Sequence, residues 1–376
     1  MKVYNYINKT FSSWVKSIDI LNLFLIILLA FLGLLFVTTA SPSIAKLKQL
    51  EEFYFVKKHG FFMIISIIFL FGFSILSKKT IVNSSFLAGS ICYILMLISL
   101  YQNSINNGAS RWVNIMGYSL QPSELLKPFL VVILAFLISR RNKLKIKSYR
   151  IEGKVMSFLL LILTSLLLIK QPNYSMVAIL FFVLLSQLFI AGINFKLALS
   201  IIITITVFSV FSYFSLAHVK TRILDYVFSE KPNYQVEKSL EAFTSGGLLG
   251  TGPGEGKIKK NIPDAHTDFI FPVIAEEYGI ITCISVIFII FIIFFRGLYR
   301  ASKINNLFEL LTISGLLILF IAQALINISV SLKLIPTTGV TLPFISYGGS
   351  SLLSMGIIMG IMLSLTRKEF GAKQCK

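Results

Sequence analysis

The chain has 376 residues, 56% of them hydrophobic and 14% charged. A water-soluble domain cannot expose that much apolar side chain, so a cytosolic enzyme is excluded, and the absence of low hydrophobicity, Pro/Gly bias or a G-X-Y repeat excludes a disordered or fibrous protein. The formal charge of +19, from 35 Lys and Arg against 16 Asp and Glu, would suggest nucleic acid in a soluble domain, but basic residues beside apolar spans set topology and meet anionic headgroups, so the membrane is the expected partner and nucleic acid is not.

Apolar runs of about 20 residues recur along the chain, each able to cross a hydrocarbon core of roughly 30 Å. Lys2, Lys9 and Lys16 precede the first of them, which is too long for a cleavable signal and reads as a retained span. Runs bounded by charge or turn residues predict ten spans: 20–39, 61–76, 81–100, 125–138, 156–169, 177–191, 197–214, 273–295, 310–330 and 347–365. The expected fold is therefore an all-α polytopic membrane protein, a single transmembrane domain with about ten helices and both termini cytoplasmic. Residues 1–19 form its N-terminal segment, 215–271 one large outer loop between helices seven and eight, and 367–376 its tail. This orientation puts Lys78 and Lys79, the basic run from Arg140 to Arg150, Arg296, Arg300, Lys303, Arg367 and Lys368 inside. Most carboxylates, from Glu51 and Glu52 through Glu124 to the group ending at Glu277, fall outside. Cys92 and Cys283 lie in apolar runs and Cys375 in the tail, without metal-ligand spacing, so neither disulfides nor protein metal ligands are expected.

Three outer segments carry the polar chemistry. In residues 107–127, Gln121, Pro122 and Ser123 open a helix, and Glu124 and Lys127, three apart, share one of its faces. With Arg111 they read either as a capped helix with snorkelling cations or as an anion site for a phosphate group. The second segment, 245–271, is rich in glycine, beginning with Gly246 and Gly247. It is not a nucleotide loop, because Ile258 follows Lys257 where Ser or Thr is required. Its glycines suit tight turns and close backbone approach, leaving Lys257, Lys259 and Lys260 to face anionic lipid or a phosphorylated ligand. Asp268 near its end is either an N-cap for the next helix or a general base whose pKa is raised by partial burial, with His266 as a possible helper. The third segment, 335–351, contains Pro343, Gly348 and Gly349, and such irregular backbone at membrane depth needs protein or a wet cavity around it. Within span nine, Gln323 and Asn327 are expected to hydrogen-bond across helices, and at least one of Glu276 and Glu277 to face the protein interior.

NGASRW, QPSELLK, QPNYSM, SGGLLGTGPGEG, PDAHTDFIF with EEYG, and PTTGVTLPFISYGGSS, in that order, together resemble the SEDS family of bacterial cell-wall proteins, and the wording is closer to its division member than to its elongation member. The resemblance implies a ten-helix glycosyltransferase of the bacterial cytoplasmic membrane that polymerises lipid II into glycan strands on the outer face, at the division septum. It implies that Asp268 is essential, with Arg111, Glu124 and Lys127 in the matching motifs. It also implies a class B penicillin-binding transpeptidase and division proteins as partners, undecaprenyl lipid as the carrier, a divalent cation (Mg or Mn) as the one candidate cofactor, and no organic cofactor. Asn173 stands where the family has an acid, Ser175 and Met176 where it has Gly and Thr, Ser110 where a second Arg is common, and Pro272 where Ala is usual. A lipid II flippase, an elongation-type polymerase and a non-catalytic scaffold are the alternatives. Against transport, the ionisable groups gather at the outer boundary instead of the membrane midplane.

Overall fold

The computed structural model describes residues 14–101, 111–115, 117–140, 144–146, 149–193 and 234–367, with isolated positions between 199 and 224. Those residues form helices α1 (Ile20–Leu47), α2 (Tyr54–Ile75), α3 (Lys78–Tyr101), α4 (Pro122–Ser139), α5 (Gly153–Lys170), α6 (Tyr174–Ile190), α7 (Tyr234–Gly246), α8 (Ile270–Ala301), α9 (Leu307–Ser331) and α10 (Gly349–Leu365). Two departures from an all-helical chain are short antiparallel hairpins, β1 (Val113–Ile115) with β2 (Tyr118–Leu120), and β3 (Leu144–Ile146) with β4 (Tyr149–Ile151). Among the described residues, seven helices are long and apolar enough to cross a membrane, and α6 and α10 are shorter apolar helices. The seventh expected span, 197–214, lies outside the described residues, as do most of 1–19 and nearly all of the tail.

Burial divides the helices into two layers. Residues Ser350 to Leu365 of α10 are all buried, and α4 and α9 are buried along most of their length. Around them α1, α2, α3, α5 and α8 keep an outward face of bare apolar side chains such as Phe31, Ile64, Leu87, Leu163 and Ile284. Helices that are apolar all round suit a bundle whose outer solvent is lipid. Small residues let the outer α2 approach the central α10: a Cβ on Gly356 would lie 2.3 Å from the carbonyl oxygen of Ser66, whose own hydroxyl donates to Leu352 O at 2.6 Å.

The two ends of the bundle differ in charge. At one, Asp19 caps α1 and is bound by Arg296 at 2.9 Å and Arg300 at 2.5 Å from the end of α8. Lys78 pairs with Glu309, and Arg367 donates to the carbonyls of Ile75 and Leu76 at the same end. Of the residues expected inside, Lys78, Arg296, Arg300 and Arg367 thus gather at one end, while the opposite end holds the cavity described below.

The segment 215–271 is not a structureless loop where it is described: it contains α7 and a short 3-10 turn, Ile258–Asn261. Its glycine-rich stretch lies against a break in α8, where Gly279 adopts φ 81° and ψ 170°. Ile280 N–H donates to Gly247 O, Thr251 N–H to Glu276 O and Gly252 N–H to Glu277 O, so the stretch pairs with the broken turn like a ribbon. Any side chain at Gly246 would collide with Ala275, its Cβ only 1.9 Å from the carbonyl oxygen.

Both Glu276 and Glu277 are buried within this short first part of α8. Glu276 accepts from the N–H groups of Ile258 and Lys259, and Glu277 pairs with the Lys259 ammonium, which also donates to Thr39 O and Gly254 O. Lys259 is therefore a buried tie between the loop, α1 and α8. The expectation that it faces lipid or ligand is corrected, because the loop folds it onto a carboxylate that would otherwise lie buried without a counterion.

Candidate active site

At the end opposite the basic cluster is a cavity of about 550 Å³. Hairpin β1–β2 delivers four of its residues: Ser119 lies on β2, and pairing Val113 with Leu120 brings Arg111 and Trp112, just before β1, beside Gln121, just after β2. Arg111 is held by carbonyls at the end of α5, its Nε donating to Gln171 O at 2.7 Å and its terminal nitrogen to Pro172 O. Gln121 then precedes α4, its N–H donating to Ser350 Oγ at 2.8 Å and its side chain to Ser123 Oγ, with Pro122 at the first helical position. This start aims Glu124 and Lys127 into the cavity, paired at 2.5 Å with Lys127 only 1% exposed. A lysine so deep in a membrane helix is tolerated because its ammonium has both a carboxylate and a polar cavity to face.

Asp268 reaches the same cavity from a tight turn. Asp264 adopts φ 55° and its carbonyl accepts from Thr267 and Phe269 N–H, while the Asp268 carbonyl accepts from Asn327 Nδ2 at 2.8 Å. The capping position of α8 is Phe269, without a side-chain hydrogen bond. Asp268 is thus free of the N-cap role and presents its carboxyl to the cavity. Burial, reinforced by the negative charge of Asp264, pushes that carboxyl up to about 6. It is mostly ionised at neutral pH yet basic enough to take a proton. The activity should therefore fall as pH drops through about 6, where protonation removes the base. Asp264→Asn, which tolerates the left-handed turn, should move that acid limb to lower pH, and a pH profile of both proteins checks it.

The third segment closes the site. Leu342 N–H donates to Ser346 Oγ in the turn holding the buried Pro343, and Tyr347 N–H donates to His266 O, tying this segment to the Asp268 loop. Thr338, Gly339, Gly348 and Gly349 line the cavity. Gly339, at φ 72°, passes so close to the catalytic candidate that a Cβ there would sit 3.6 Å from Asp268 Oδ2.

The structure thus brings Asp268, Arg111, Glu124, Lys127, Gln121, Gly348 and Gly349 to one cavity and leaves Lys257 and His266 out of its lining. Lys257 is exposed on the loop. His266 is buried behind the wall, its ring 4.4 Å from that of Phe55 and 5.1 Å from that of Tyr347, and burial with the charges of Lys48 and His59 lowers its pKa to about 4. It is a neutral packing residue at working pH. Gly246 and Gly247 serve the loop against α8, as described above. Asn327 bonds to the backbone of two loops, Asp268 O and Val340 O, instead of to a neighbouring helix, and Gln323 lines the cavity with its Oε1 unpartnered among the described residues. Residues the sequence did not single out also appear: Lys58, Asp264 and Thr338 line the cavity, and Asn173 and Ser175 do so despite the altered motif, Ser175 donating to Thr338 O at 3.1 Å.

Among the described residues no group of three or more His, Cys, Asp or Glu side chains could hold a metal. The cavity carboxylates are Glu124, taken by Lys127, and the pair Asp264 and Asp268. Such a pair suits only an ion of the magnesium type, which takes one or two carboxylates and draws its other oxygens from water and substrate phosphate.

Residues 19–370 match the FtsW/RodA/SpoVE family, described as a cell cycle protein. The chain belongs to this family. It is 36% identical to the probable peptidoglycan glycosyltransferase FtsW of Caulobacter vibrioides, over 92% of this chain and 88% of that one. It is 31% identical to the stage V sporulation protein E of Bacillus subtilis, over 93% of this chain and 97% of that one. Among solved structures, a chain from the peptidoglycan synthase complex studied for its structural coordination of polymerization and crosslinking superposes with a TM-score of 0.75 at 22% identity, covering 93% of this chain and 97% of that one. The rod shape determining protein RodA of Thermus thermophilus gives a TM-score of 0.67 at 22% identity, covering 93% and 96%. These two likenesses concern the fold, which the FtsW/RodA/SpoVE chains share as a polytopic helical bundle.

Proposed function

We propose that this chain is a peptidoglycan glycosyltransferase of the bacterial cytoplasmic membrane that polymerises lipid II during cell division, with the cavity on the outer face. The observation that carries the reading is one cavity holding a carboxyl of raised basicity, Asp268, with the fixed cations Arg111 and Lys127. The names of the relatives support it. The basic end of the bundle would lie in the cytoplasm, with both termini, and so set the orientation.

In the proposed reaction Asp268 accepts the proton of the acceptor sugar's 4-hydroxyl as that oxygen attacks the donor's anomeric carbon. The new C–O bond forms with inversion, the bond to the diphosphate breaks, and undecaprenyl pyrophosphate leaves. Arg111 is held in place by the carbonyls of Gln171 and Pro172, and Lys127 by Glu124, so both can meet the growing negative charge without reorganising. A divalent cation, when bound, would supply further charge to the diphosphate, with Asp264 and Asp268 as the protein carboxylates available to it. Chelator should then slow polymerisation and Mg or Mn restore it, whereas a rate indifferent to chelator removes the cation. A class B penicillin-binding transpeptidase would crosslink the strands.

The test is purified protein with lipid II, wild type against Asp268→Ala. Glycan chains from the first and none from the second support the enzyme. Equal lipid scrambling by both proteins, with no polymer, supports the flippase instead.

A further inference from the structure

Gln323, on α9, lines the main cavity and is 1% exposed, yet its Oε1 has no hydrogen-bond partner among the described residues. Buried amide oxygens are normally satisfied, so this one points to a donor that arrives with a ligand.

Helix register places Gln323 on the floor of the cavity. Helices α6 and α9 run antiparallel: Ser175, at the cavity end of α6, donates to Thr338 O beyond α9, while Gln187, near the other end of α6, donates to Leu311 O. About two turns from that level toward the cavity come Ile179 on α6 and Gln323 on α9, and both line it. One turn further along α9, Asn327 holds Asp268 O. Met176, a turn before Ile179 on α6, also lines the cavity, and these two side chains are 4% and 2% exposed. The floor thus offers one hydrogen-bond acceptor with an apolar surface beside it.

The chemistry of a lipid-linked sugar decides which of its groups fits. An ionised diphosphate has no hydrogen to give, so it cannot satisfy Oε1, and Arg111 and Lys127 already suit its charge. A sugar hydroxyl could donate, but it brings nothing apolar to cover Met176 and Ile179. An acetamido group brings both an N–H and a methyl. We infer that Gln323 is a specificity-determining residue, whose Oε1 accepts the N–H of the 2-acetamido group on the donor sugar while the acetyl methyl packs on Met176 and Ile179. That group is carried by the carbon next to the anomeric carbon, so holding it fixes the ring relative to Asp268 and the two cations. The inference rests on the cavity being the lipid II site and names the part of the substrate that is read there.

The test uses the full-length protein in lipid, wild type against Gln323→Met, which keeps the side-chain length and removes the amide. Each is given lipid II and an analogue with hydrogen in place of the 2-acetamido group on the sugar that carries the diphosphate. Wild type should use the analogue about tenfold or more less well in kcat/KM. Gln323→Met should lose about tenfold on lipid II and less than about twofold on the analogue, so that the discrimination nearly vanishes. Equal losses on both substrates would make Gln323 a support of the bundle and overturn the inference. So would wild type without a preference, or discrimination that survives Gln323→Met, the result expected if water alone meets Oε1. Should Gln323→Met fail to fold, Ile179→Phe decides: a ring in the place of the methyl should slow lipid II about tenfold and leave the analogue within about twofold, and equal effects overturn the inference. Absence of polymer from wild type with lipid II would sink the glycosyltransferase itself, a failure separate from any result with the variants.

Discussion

Asp268→Asn should reduce polymerisation by about 10²–10⁴-fold while leaving lipid II binding nearly unchanged. Asparagine keeps the size of the side chain, and the backbone carbonyl can still accept from Asn327 Nδ2, so the turn beginning at Asp264 has no reason to open. What disappears is the basicity that burial and Asp264 give this carboxyl. The loss should therefore appear in kcat, with KM little affected, since the group acts on a proton transferred as the new bond forms. Single-turnover polymerisation together with binding of a fluorescent lipid II measures the two separately. Turnover within about tenfold of wild type would remove Asp268 from the role of base.

The second large effect is expected outside the cavity lining, at Lys259. Its ammonium is the counterion of the buried Glu277 and donates to Thr39 O and Gly254 O, while its own N–H bonds to Glu276. Lys259→Met leaves a carboxylate buried without a partner, a change that costs about 3–5 kcal/mol. Thermal unfolding of the purified protein should show a clear loss of stability, and activity should fall with it, because this tie holds the glycine-rich loop against the segment that leads out of the Asp268 turn. Combining Lys259→Met with Glu277→Met removes the stranded charge and should recover much of the stability. The recovery should be incomplete, since two carbonyls still lose their donor. Single and double variants equally as stable as wild type would show that the tie contributes nothing.

These two residues show how unevenly the sequence displays its structure. Asp268 stands out because an acid at the edge of a membrane span, after a polar loop, demands an explanation. Lys259 does not, because in the sequence it is one of three nearby lysines with Lys257 and Lys260. Its partners on α1 and α8 are distant in the chain, and only folding reveals them. His266 and Lys257 likewise look suited to substrate, yet one is packed between rings and the other is turned outward. Thr338 and Gly339 were unremarkable in a loop of small residues, and become part of the site because that loop returns across Asp268. The helix ends also moved: the run 61–76 is the lipid-compatible part of α2, which begins at Tyr54 because polar residues continue its hydrogen bonding beyond the apolar stretch.

The sequence by itself determined that this is a membrane bundle, where most of its spans lie, which short loops are basic and nearly free of acid, and which motifs place Asp268, Arg111, Glu124 and Lys127 among the residues of interest. Those properties follow from local composition, since lipid selects apolar runs and a short loop's charge belongs to the loop alone. Tertiary structure decided which polar residues share a cavity and that Asp268 is not a cap. The physical reason is that the site is assembled by backbone carbonyls and N–H groups from remote segments, at Gln171, Asp264, His266 and Val340, and every residue carries such groups whatever its side chain.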